Sequence, residues 1–174
     1  MSLTKFIAAF LPLLFLGCQN STTKSLERPK SQSFAGTWKL ISRIDKDSNN
    51  VLVNEPTLGS DPIAILMYDT LGNMSVQIMK RNRNDSVITT QNQNSNNSSA
   101  FNGYDAYFGI YKIDTAKKQV THILSGSINP KDVGKQLIRN YLLIDDTLSL
   151  SFATTNAGIP VTRTVTFIRE KNSR

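Results

Sequence analysis

Cysteine, histidine and tryptophan each occur once in 174 residues. A lone cysteine rules out an internal disulfide. With only one histidine beside it, no zinc site with the usual Cys/His ligand count can form. Acids are the minority charge, 13 against 20 basic residues. Asp69, Asp114, Asp145 and Asp146 stand in apparent turns, where Asp normally serves the backbone. No metal and no other cofactor is expected. The net charge of +7 is scattered, with its densest spot at Lys80, Arg81 and Arg83. A basic stripe with interleaved aromatics is missing, so a nucleic-acid partner is not expected. There is no Gly-x-Ser-x-Gly, and Ser127 has no evident oxyanion hole beside it, which argues against a Ser–His–Asp hydrolase. No apolar run reaches the roughly 20 residues that a spanning helix needs.

What is present begins with Lys5 and the apolar run Phe6 to Leu16. Residues 1–17 have the form of a signal peptide. The run ends in Phe15-Leu16-Gly17-Cys18, which resembles a bacterial lipobox and puts the only cysteine where that pattern requires it. The resemblance implies cleavage before Cys18, a diacylglycerol thioether on its sulfur and acyl chains such as palmitate on the new amine. Several chains hold a protein on a bilayer firmly, where one holds it marginally. Gln19 rather than Asp follows. The expected location is therefore the cell envelope, on the outer membrane and facing the periplasm. Residues 18–33 are polar and aperiodic and read as a tether. A domain over 34–171, about 140 residues, is long enough for one core, and a monomer is expected.

Within that domain the apolar pattern has a period of two. In the first strand Trp38, Leu40, Ser42 and Ile44 fall on one face, with Thr37, Lys39 and Arg43 on the other. Ile63 to Tyr68, a turn at Asp69 to Asn73, and Met74 to Met79 make a hairpin. Residues 91–100 are mostly Asn, Gln and Ser and read as a mobile loop. Strands follow at Ala106 to Ile113, Gln119 to Ser125, Leu137 to Ile144, Thr147 to Phe152 and Val161 to Arg169. A helical turn is expected over Lys131 to Lys135. Eight to ten short strands with no long helix to cover them predict an all-β protein, an antiparallel up-and-down barrel that leaves no open edge.

An ordered set of residues then resembles the lipocalin-like domain family. It comprises Gly36-Thr37-Trp38-Lys39-Leu40, Tyr68 with Gly72 to Met79, and Tyr107-Phe108-Gly109-Ile110-Tyr111. Val120-Thr121-His122, Ser127-Ile128-Asn129-Pro130, Gly134 and Arg139-Asn140-Tyr141 complete it. Phe167 departs from the family's usual Trp, and the loop after Arg83 is longer. The resemblance implies a barrel with a cavity more than any activity. It also implies a structural pairing of Trp38 with Arg169.

The candidate ligand-binding residues are His122, Tyr107, Tyr111, Arg139, Ser127 and Asn129. His122 shares a face with Val120 and Leu124, and Tyr107 with Tyr111. Pairing around Ala116 puts Tyr111 near Thr121, so a one-residue bulge decides whether those faces agree. The plain alternative for His122 is a satisfied core histidine, and for the tyrosines core aromatics. Arg139 is either solvated or a buried charge that needs an anion. The function expected is binding of a small, mainly apolar molecule in the cavity. An isomerase or cyclase using the same cavity, and a structural envelope lipoprotein with a filled barrel, are the alternatives.

Overall fold

A computed structural model describes residues 33–83 and 103–171. The leader, Cys18, nearly all of the tether and the Asn-rich stretch 91–100 lie outside the described residues. Eight antiparallel strands close into one barrel in sequence order. They are β1 (Gly36–Lys46), β2 (Ile63–Tyr68), β3 (Asn73–Met79), β4 (Tyr104–Asp114), β5 (Gln119–Ser127), β6 (Gln136–Ile144), β7 (Thr147–Asn156) and β8 (Ile159–Arg169). Pairing of β1 with β8 completes the ring. The expected helical turn shrinks to one 3-10 turn, Pro130–Asp132, capped by Asn129. Residues 157–158 form a two-residue turn with both residues at positive φ, Ala157 at 48° and Gly158 at 84°, so β7 and β8 run longer than the expected Thr147 to Phe152 and Val161 to Arg169. That geometry matches the right-handed twist of the flanking strands.

One end of the barrel is shut by aromatics. Trp38 is fully buried and donates from Nε1 to the Phe34 carbonyl at 2.9 Å. The Phe34 ring meets Tyr141 edge-on at 4.7 Å. Arg169 lies opposite Trp38 in the β1–β8 ladder, with its guanidinium 4.1 Å from the indole ring centre. Arg169 also donates to the carbonyls of Ala35 and Ser33 and pairs with Asp146 at 3.3 Å. Gly36 makes room for this arginine, since a Cβ there would come within 2.6 Å of its Nη1.

The first strand departs from the expected alternation. The β1–β8 register shifts between Leu40 and Ser42, so Ile41 is an extra residue. Beyond it the faces exchange. Ile44 is exposed, while Arg43 and Asp45 are buried inside the barrel. Burying the two charges costs less than it would alone, because each has an ionic partner. A second shift, at Ser125, follows Phe108 and Gly109 in the β4–β5 ladder. Gly109 permits the close approach there: a Cβ would lie 2.0 Å from the Ile123 carbonyl oxygen.

Candidate functional site: the barrel cavity

The interior faces of all eight strands enclose a cavity of about 230 Å³. Leu66, Val76, Leu150 and Val165 supply much of its apolar wall. Tyr107, His122, Arg139 and Ser127 also line it, with Asp105 and the arginines 43 and 163.

The β4–β5 connector sets the register around the histidine. Tyr111 stands directly opposite His122, one position away from the expected partner Thr121. Both therefore face inward. His122 has no solvent exposure, and its Nε2 lies 2.6 Å from the Tyr68 hydroxyl. Its Nδ1 is buried without a partner. Burial, with the nearby Arg139 charge, holds the imidazole well below its usual range and hence neutral. Burial pushes the Tyr68 phenol well up, so it keeps its proton. That single phenolic proton satisfies the pair if Tyr68 donates to Nε2, which leaves the imidazole proton on Nδ1.

Arg139 points inward and is buried. Its guanidinium carbon sits 4.2 Å from the Phe152 ring centre, and Nη2 donates to the Tyr107 hydroxyl at 3.1 Å. No carboxylate pairs with it among the described residues.

The other candidates are placed differently. Tyr111 packs its ring on Tyr68 at 4.5 Å but donates its hydroxyl to the Asp69 carbonyl at 2.7 Å, outside the cavity wall. Ser127 is on the wall, and its Oγ accepts from the Asn129 amide at 3.2 Å. Asn129 is not on the wall: its side-chain oxygen caps the 3-10 turn by accepting from the Lys131 amide. A larger, half-open groove of about 560 Å³ lies at the aromatic end, lined by Tyr111, Lys118 and Leu142 among others. Among the described residues, buried polar groups line the cavity rather than this groove.

Charges gather toward the opposite end. Arg163 grips Asp45 with Nε to Oδ1 at 2.7 Å and Nη2 to Oδ2 at 2.6 Å. Asn156 donates to the same carboxylate at 2.9 Å. Arg43 pairs with Glu55 at 3.4 Å, and Glu55 also accepts from the amides of Thr57 and Leu58. Burial and the neighbouring Arg163 charge bring Arg43 down to about 10. Asp105 lacks an ion pair among the described residues. Burial pushes its carboxyl up to about 6, and Asp132 adds to the rise while Arg139 and Arg163 oppose it.

Sequence reasoning missed Asp105 and Arg163 as cavity residues and Tyr68 as the partner of His122, although each is in phase with an inward neighbour on its strand: Tyr107, Val165 and Leu66. It could not have found Arg43 or Asp45, which the Ile41 bulge turns inward.

A search of curated proteins finds none that matches the chain. A family profile described as "Lipocalin-like domain" matches residues 35–167. That span covers the barrel from its aromatic plug to its last strand, and the chain belongs to the lipocalin-like domain family.

Proposed function

We propose that the protein is a membrane-anchored binder that holds a small, mainly apolar molecule inside its barrel. The observation that carries this reading is the cavity between the eight strands, where an apolar wall meets a converging set of polar groups. Its volume of about 230 Å³ is below the usual range for drug-sized ligands, which calls for a compact occupant. Lipid on Cys18, outer-membrane location and a periplasmic face follow from the lipobox-like sequence and belong to the same proposal. The isomerase or cyclase alternative is less well supported. Acid–base catalysis works best with a pair of groups poised near the operating pH; burial holds Tyr68 and His122 neutral, and only Asp105, raised to about 6, comes near it among the shifted groups described. Native mass spectrometry of protein released gently from its own membranes is the test. A discrete mass increment lost on unfolding is expected, and a uniformly empty barrel that takes up no compact apolar compound would defeat the reading.

A further inference from the structure

Asp105 apart, which lies nearer the ionic end, the polar groups left over around Arg139, Tyr107 and His122 are donors. Arg139 spends one N–H on the Tyr107 hydroxyl, and its remaining N–H groups have no partner among the described residues. By accepting that bond, Tyr107 keeps its own O–H free to donate. With the Tyr68 proton directed at Nε2, His122 carries N–H at Nδ1, which no protein group accepts. Tyr107 and His122 are neighbours, with ring centres 6.1 Å apart. The three groups come from adjacent strands β4, β5 and β6. A buried imidazole nitrogen without a partner is costly to leave unmatched, and a guanidinium with no carboxylate beside it stands next to it.

We propose that Arg139, Tyr107 and His122 form a carboxylate site, so that the barrel's ligand is a compact apolar monocarboxylate. The inference rests on the binding reading above and adds the ligand's chemical class. An ionised carboxylate is acceptor-only and matches a donor-only cluster, and Arg binds it through paired N–H groups. Two features limit the ligand further. Asp105 lies on the same strand as Tyr107, two residues nearer the ionic end, and also lines the cavity. A second anionic group reaching that end would meet its carboxylate, which favours one negative charge. At about 30 Å³ per water, the cavity of about 230 Å³ holds roughly eight waters, so the ligand's body is on the order of ten non-hydrogen atoms.

The test compares phenylacetate with phenylacetamide, which have nearly the same shape and differ in charge. The full chain is held in phospholipid nanodiscs, and calorimetry at pH 7.5 uses empty nanodiscs as blank. The acid should bind at least ten-fold more tightly than the amide. Arg139→Gln should abolish that preference by weakening acid binding at least ten-fold. Equal affinities in the unchanged protein, or a preference that survives Arg139→Gln, would overturn the carboxylate site and leave the binding reading standing. If neither compound binds, the carboxylate site falls, and native mass spectrometry decides the binding reading separately. A variant-free readout covers the case in which Arg139→Gln does not fold. His122 is the only histidine, so ¹⁵N-histidine labelling reports on it alone. Phenylacetate should shift its Nδ1 resonance with that nitrogen protonated. An unprotonated Nδ1, or no response at saturation, refutes the proposal.

Discussion

Arg163 and Asp45 face each other across the β1–β8 seam and share two hydrogen bonds of 2.7 and 2.6 Å inside the barrel. Both side chains are almost wholly buried. Removing one partner leaves an uncompensated charge in a low-dielectric interior. Asp45→Ala should therefore cost about 3–5 kcal/mol in urea unfolding, whereas Asp45→Leu combined with Arg163→Met should recover most of that loss. If the two losses simply add, so that the double variant is less stable than either single one, the two sites act independently.

Stability near pH 5 should reflect two opposing titrations. Asp105 has its folded pKa raised from 3.8 to about 6. The folded state therefore holds the proton more tightly, and stability falls as pH rises from about 4 to about 6, by roughly 3 kcal/mol for this group alone. His122 has its folded pKa lowered from 6.5. Its contribution is present above about 6.5 and is lost as pH falls below that value. The two slopes offset each other where they overlap. Asp105→Asn should stabilise the protein at pH 7.5 and expose the histidine slope, so that the variant loses stability from pH 6.5 downward more steeply than the parent. Chemical denaturation at half-unit pH steps reads this directly, and parallel curves for the two proteins would contradict it.

The aromatic end offers a spectroscopic reporter, because Trp38 is the only tryptophan. Arg169→Ala removes a cation–π contact, two bonds to backbone carbonyls and an ion pair. A loss of about 2 kcal/mol is expected. Tryptophan emission should shift to the red as water reaches the ring. Unchanged emission with unchanged stability would show that Phe34 and its neighbours seal this end without the arginine.

The anchor is tested by Cys18→Ser. The parent should fractionate with membranes and the variant should not, because no acylated sulfur remains. A processed variant that still sediments with membranes would remove the lipoprotein reading.

The legible part of this fold was its periodicity. Alternation grouped His122 with Val120 and Leu124, and Tyr107 with Tyr111, on common strand faces, and turn residues such as Gly72, at φ 92°, marked where strands reverse. The bulges were not legible. Ile41 looks like any other β-branched strand residue, yet it turns Arg43 and Asp45 inward and Ile44 outward. Ser125 likewise gives no local sign that the β4–β5 ladder steps by one there. The pairing of Tyr68 with His122 joins residues 54 positions apart. It depends on where two strands lie around a closed ring, and nothing within either strand encodes that. Arg139 was left between two orientations because a lone arginine on an alternating strand fits both, and only the Phe152 ring and the Tyr107 hydroxyl fix it inward.

The ring's wiring has a consequence for how the chain folds. Seven of the eight pairings join strands adjacent in sequence, and one joins the first strand to the last. Hairpins can form in order along the chain, most of them closing a short loop at small entropic cost; the connections over residues 47–62 and 80–103 are the longer ones. The final pairing closes a loop nearly as long as the domain, and no earlier step substitutes for it. Until β8 arrives, the sheet keeps two raw edges open to other chains, Asp45 waits without its arginine, and Trp38 has no cation above it. Refolding should therefore end in a late phase carried by tryptophan fluorescence, after most strand signal has formed. A chain that lost β8 would be worse off than one short by an eighth of its sheet, since it would be an open ribbon ready to pair with its neighbours.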